Sequence, residues 1–204
     1  MALTYRERPA AGPPQGLVIL HHGRGANELD LLGLADVLDP EQRLHVVTPR
    51  APLEFGGGFH WYLVPRVGYP DHATFHTAVE ELAAFHDETW QRLGLTPEQT
   101  VLGGFSMGSV MSYALGLHPE RPAPAGILAF SGFVPTVNDW QPELPRRTKV
   151  FIAHGRADPV IEVAFARRAR DLLAELDPEY HEGDQGHWIE PADAAAAAAW
   201  LARA

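Results

Sequence analysis

The chain has 204 residues, 46% of them apolar, which excludes a disordered polypeptide and is enough to build a substantial core in a single domain spanning 1–204. Its formal charge is −10, from 26 acidic against 16 basic residues, so nucleic acid and anionic membrane surfaces repel it on average and a neutral small molecule is the expected partner. The absence of cysteine excludes disulfides, a zinc-thiolate centre and a cysteine nucleophile, while an opening MALTYRERPA without an apolar core, and no run near the roughly 20 apolar residues of a membrane span, lead to an expected cytoplasmic location.

In chain order, Leu3 to Arg8 alternates and, after the turn at Gly12, Pro13 and Pro14, Gly16 to His22 (GLVILHH) is an apolar strand; the two are expected to pair as a hairpin. The strand empties into His22-Gly23-Arg24-Gly25, after which Leu29, Leu32, Ala35 and Leu38 mark a short helix. Leu44 to Thr48 is a further strand, followed by a long aromatic-rich segment from Arg50 to Asp71 that either contributes to function or folds back over the sheet edge. From His72 to Leu93 the apolar spacing is helical and Gly94 ends it, Thr96 to Gln99 forms one capped turn, and Met107 to Leu117 is another helix. Ala125 to Ser131 and Thr148 to His154 are strands, Gly132 to Arg147 is too short for a lid domain, Ile161 to Leu176 traces a helix, Glu179 to Glu182 a last strand, and Pro191 to Ala204 an alanine-rich helix. Alternation of strand and helix predicts an α/β fold, a mostly parallel sheet with helices on both faces.

The chemistry centres on Val101 to Ser112, VLGGFSMGSVMS, where Ser106 stands two residues from Gly104 and two from Gly108. A G-x-S-x-G run between a strand and a helix holds its serine in a sharp turn, whose flanking positions come so close that only very small residues fit. That turn also puts the Met107 backbone N–H at a helix N-terminus, where it can donate to a developing negative charge. A serine hydroxyl needs a histidine to take its proton and a carboxylate to orient that histidine. Asp158, in HGRADP, and His187, in GDQGHW, each follow a strand and so fall at the same sheet edge as Ser106; Asp184 is a rival acid, but its closeness to His187 suits it to shaping the loop. The order Ser106, Asp158, His187 is that of a serine elbow in an α/β-hydrolase sheet. The second oxyanion donor is expected from the Arg24 backbone N–H, paired with that of Met107.

The other ten histidines are read as surface or packing residues. His72 and His76 share a helical face with Asp71 just before them, but without an H-E-x-x-H spacing or cysteine no metal is assigned. Phe55, Phe59, Trp61, Phe133 and Trp188 are the expected walls of an acyl pocket. The Arg24 side chain, at the mouth of its loop, either favours substrates carrying a carboxylate or is simply solvated.

Taken together, LHHGRGAN, LTPEQTVLGGFSMGSVMSYAL, ILAFSGFVP, HGRADPVI and the GHW loop resemble, in order and over nearly the whole chain, the phospholipase/carboxylesterase family of small serine hydrolases, which includes bacterial carboxylesterases and acyl-protein thioesterases. The resemblance implies an α/β-hydrolase fold without a large lid, a Ser106, Asp158 and His187 triad, no cofactor, and a possible homodimer. The thioesterase branch usually carries Leu and Gln where this chain has Arg24 and Met107, so carboxylic esters rather than thioesters or lysophospholipids are the expected substrates, and the open, compact architecture points to short to medium acyl chains. A non-catalytic binding protein on the same scaffold is the alternative from a different class.

Overall fold

The computed structural model describes residues 3–203. Its strands are β1 (Tyr5–Arg8), β2 (Leu17–His21), β3 (His45–Pro49), a small separate hairpin of β4 (Leu53–Phe55) and β5 (Gly58–His60), then β6 (Thr100–Phe105), β7 (Gly126–Phe130), β8 (Lys149–Gly155) and β9 (Glu179–Gly183). Seven of them form one sheet in the order β1-β3-β2-β6-β7-β8-β9, every neighbouring pair parallel except β1 with β3. The helices are α1 (Leu34–Leu38), α2 (His72–Leu93), α3 (Met107–Gly116), α4 (Val163–Leu172) and α5 (Pro191–Leu201).

Period-two alternation divides the strands' apolar residues between two cores. Leu17 and Ile19 of β2 face the layer of α2, α3 and α4 with Leu102, Ile127 and Ile152, whereas Val18 and Leu20 face α1 and α5 with Val101, Leu128 and Phe151. Covered on both faces, the parallel strands read as continuous apolar runs, and α3, buried at every position, lies against β6 and β7. Helix α2 starts where the Asp71 carboxylate accepts the Thr74 N–H and ends at Gly94, whose φ of 65° is left-handed. Among the described residues no helix is long and apolar enough to cross a membrane.

Two expectations are corrected. β1 does not pair with β2: both edges of β2 are taken by β3 and β6, and β1 instead closes the sheet antiparallel on β3, with Tyr5 opposite Pro49. The helix expected from Leu29 is confined to Leu34–Leu38, because the Asn27 side chain accepts the Leu29 N–H and sets the segment into successive turns that leave Leu29 exposed.

Candidate active site

The carboxyl ends of β2, β6, β8 and β9 bring Arg24, Ser106, Asp158 and His187 to one rim. Ser106 has φ 56° and ψ −118°, a conformation rarely held by a side chain with a Cβ, and its N–H donates to Phe130 O at 2.8 Å. The flanking glycines make that turn possible: a Cβ on Gly108 would lie 1.8 Å from His21 O, and one on Gly104 would lie 2.4 Å from the Gly108 carbonyl carbon. Below the turn, Ser109 Oγ is hydrogen-bonded to the carbonyls of Gly104 and Phe130 at 2.6 and 2.7 Å, tying helix α3 to two strands.

His187 Nε2 lies 2.9 Å from Ser106 Oγ, and its Nδ1 lies 2.7 Å from Asp158 Oδ2. A carboxylate only accepts, so Nδ1 carries the imidazole proton and the Nε2 lone pair is left for the serine hydroxyl. Asp158 is itself fixed: Oδ1 accepts the N–H groups of Val160 and Ile161 at 2.8 and 2.9 Å. His154, fully buried, places Nε2 2.8 Å from Ile161 O and 3.3 Å from Asp158 Oδ2. Both neighbours of that nitrogen are acceptors and burial holds the imidazole below its ordinary pKa, so His154 is neutral with its proton on Nε2. Asp184, by contrast, is solvent-exposed and paired with Arg156.

The loop after β2 is held by His22. Its Nε2 accepts the Ala51 N–H at 3.0 Å, so Nδ1 must carry the proton and donate it to Gly23 O at 2.8 Å. Burial keeps this imidazole neutral as well. In a trans peptide the carbonyl and the following N–H point in opposite directions, so fixing Gly23 O turns the Arg24 N–H away from His22. The indole N–H of Trp61 binds His22 O at 2.9 Å, and the Trp61 amide N–H meets Met107 Sδ at 3.3 Å. Met107 therefore sends its side chain into the core and keeps its backbone at the helix start. Neither the Arg24 nor the Met107 amide has a hydrogen-bond acceptor among the described residues.

A cavity of about 430 Å³ opens beside Ser106, its walls formed by Tyr62, Val64, Val67, Phe105, Phe133 and Ile161 with Arg24 and Met107 at the serine end. Of the expected acyl-pocket residues, only Phe133 lines it. Trp61 is wholly buried and spent on His22 and Met107; Phe55 carries the Arg24 guanidinium 4.3 Å above its ring; Phe59 carries that of Arg50 at 4.5 Å; Trp188 is exposed and bonded to Glu190. The further wall residues, Tyr62, Val64 and Val67 to Pro70 with Val160 and Ile161, come from the aromatic-rich segment that the sequence leaves open between a functional role and a cover for the sheet edge, and from the backbone that binds Asp158.

The chain matches the family described as Phospholipase/Carboxylesterase over residues 8–192. Acyl-protein thioesterase 1 of Debaryomyces hansenii is 25% identical, over 84% of this chain and 82% of that protein. Among solved structures, esterase PE8 superposes with a TM-score of 0.86 at 30% identity, covering 100% of this chain and 99% of that one, and the Bacillus cereus carboxylesterase with 0.87 at 25% identity, covering 98% and 94%. The fold is thus that of the α/β-hydrolases without a large lid, and the protein belongs to the phospholipase/carboxylesterase family of hydrolases.

Proposed function

We propose that this hydrolase cleaves carboxylic esters of short to medium acyl chain, with Ser106 as nucleophile, His187 as general base and acid, and Asp158 as the group that orients His187. The observation that carries the proposal is the continuous hydrogen-bond line from Ser106 Oγ through His187 to Asp158, with distances of 2.9 and 2.7 Å, at the edge of an apolar cavity.

In this reading the acyl group lies along Tyr62, Val64 and Phe133 and presents its carbonyl carbon to Ser106 Oγ. His187 Nε2 takes the hydroxyl proton as the Oγ–C bond forms, and the imidazolium is stabilised by Asp158. The oxyanion receives the N–H groups of Arg24 and Met107, each of which is free to donate and worth about 10²- to 10³-fold in rate if removed. The tetrahedral adduct collapses to the acyl-enzyme as His187 returns its proton to the departing alcohol. Water, deprotonated by the same nitrogen, then releases the acid. A cavity of about 430 Å³ falls toward the small end of ligand sites, which supports short to medium acyl groups over long lipids.

The test is a panel of p-nitrophenyl esters from acetate to palmitate, matched thioesters and a lysophospholipid, run on wild type beside Ser106→Ala, with fluorophosphonate labelling of both proteins. Labelling of wild type alone and fastest turnover on C2 to C8 oxygen esters are expected. Faster hydrolysis of thioesters would move the assignment to the activity named for the acyl-protein thioesterase relatives. Absence of labelling in folded wild type would leave a binding protein.

A further inference from the structure

A second cluster of polar side chains lies outside the cavity, at the start of α2. His72 and His76 are one helical turn apart, with ring centroids 4.6 Å from each other, and both aim Nε2 at one carboxylate. That carboxylate is not Asp71, which is consumed in capping α2, but Asp139 of the segment between β7 and β8. His72 Nε2 lies 2.8 Å from Asp139 Oδ2, and His76 Nε2 lies 3.0 Å from Asp139 Oδ1. The donor atoms of the three residues all fall within 4.8 Å of one another.

As a purely protonic arrangement the cluster does little. Two imidazoles sharing a solvent-exposed carboxylate gain only the small free energy of surface pairs, and an arginine would hold Asp139 better. The same donor set is well suited to a metal. Imidazoles at i and i+4 point the same way from a helix and chelate one ion, and a carboxylate supplied by a separate segment completes three ligands. Neighbouring ligand atoms around tetrahedral zinc are about 3.3 Å apart when each bond is near 2.05 Å, so the observed N···O separations need to widen by only a few tenths of an ångström. These side chains, exposed or half-buried, have room to do so. Two nitrogen ligands select borderline transition ions over magnesium or calcium.

The geometry points to a transition-metal site for Zn²⁺ or Ni²⁺, held by His72, His76 and Asp139 and open to water at its remaining position, that clamps two walls of the active-site cavity together. The chain of contacts supports the clamp: Tyr69 and Pro70 line the cavity and run directly into Asp71 and α2, while Phe133 lines it from the segment that carries Asp139. Between the two, the Thr136 hydroxyl already donates to Gly68 O. An ion bridging Asp139 to α2 would fasten the same junction a second time.

The site is tested by isothermal titration of Zn²⁺, and separately Ni²⁺, into the chelator-treated full chain at pH 7.5, with thermal unfolding followed at the same metal concentrations. Wild type is expected to take up one equivalent and to unfold at a higher temperature with metal. Asp139→Asn and His76→Ala are each expected to weaken binding by about tenfold or more, the least that the loss of a direct ligand should cost. The double variant His72→Ala/His76→Ala should lose both the binding and the thermal shift, while its midpoint without metal stays close to that of wild type because the side chains lie at the surface. Uptake and thermal shift unaltered in the double variant, or no response of wild type up to about 1 mM metal, would overturn the proposal.

Discussion

Replacing His22 tests whether one peptide plane governs the rate. His22 donates to Gly23 O at 2.8 Å and accepts from Ala51 N at 3.0 Å, and through the first of these bonds it fixes the direction of the Arg24 N–H. In His22→Leu both bonds go. Losing an oxyanion donor outright costs about 10²- to 10³-fold in kcat. Here the loop stays anchored by Gly25 N–H to Phe59 O at 2.8 Å and Phe59 N–H to Ala26 O at 2.7 Å, so the peptide loses its preferred orientation rather than its position. The expected fall is therefore about 10- to 100-fold in kcat, or ~1.4 to 2.7 kcal/mol, with KM little changed because the donor acts on charge that develops only in the transition state. The buried Ala51 N–H, left without an acceptor, lowers stability by a further ~1 to 3 kcal/mol. His22→Asn separates the two effects: its amide can still donate to Gly23 O but falls short of Ala51, so it should lose stability while keeping most of its kcat. Steady-state kinetics on the best short-chain ester and thermal unfolding of all three proteins supply the comparison. A folded His22→Leu enzyme with kcat within about twofold of wild type, or one whose defect lies in KM alone, would refute the reasoning.

Removing the His154 donor in His154→Leu should free Asp158 Oδ2 from its second partner and loosen its hold on His187, lowering kcat with KM little changed; His154→Gln, which can still donate, should restore kcat, and a kcat unmoved in both variants counts against a positioning role. Gly108→Ala drives a methyl group to 1.8 Å from backbone at His21, so α3 must shift from β2; a loss of about 3 kcal/mol by urea unfolding, with activity falling alongside, is expected, and a variant of wild-type stability would exclude so tight an approach. Stability should also fall on acidification from about pH 6.5. Burial holds His21 and His86 below the ordinary 6.5, His86 at about 3, so in this window the unfolded chain binds protons that the folded protein refuses, at up to ~1.4 kcal/mol per pH unit for each histidine. Urea unfolding at pH 7, 6 and 5 reads the slope, which His86→Leu should reduce while leaving the share of the other buried histidines, His22 and His154 among them; an equal slope in the variant would place the acid sensitivity elsewhere.

What the sequence disclosed and what it hid divide along the range of the forces involved. The elbow was legible because its pattern is short: Gly104 is required by the close approach of Gly108 within the turn itself, although Gly108 is required by the neighbouring strand, where a Cβ would meet His21 O. The layers were legible because burial on both faces writes itself into unbroken apolar strands. The partner of β1 was not, since antiparallel pairing on β3 rather than β2 depends on which strand edges remain free after the parallel sheet assembles, a property of no short segment. The pocket walls failed for a similar reason. Trp61 and Tyr62 are adjacent aromatics in an irregular stretch, and only the position of His22 O, brought in by β2, decides that the indole turns inward while its neighbour lines the cavity. His154 and His22 were lost among eleven histidines because their roles are set by acceptors on other segments, although a faint signal existed for the first: it closes a buried strand four residues before Asp158, close enough for a tight turn to fold the imidazole back onto the carboxylate. The same logic separates Asp71 from Asp139. Sequence proximity sets Asp71 beside the histidine pair, but a carboxylate immediately before a helix has four unpaired amides competing for it, and the cap wins because its geometry is built into the helix start. Residues that complete a site are thus found where local demand has not already claimed them, which is why the acid that reaches His72 and His76 comes from a segment with no helix of its own to cap.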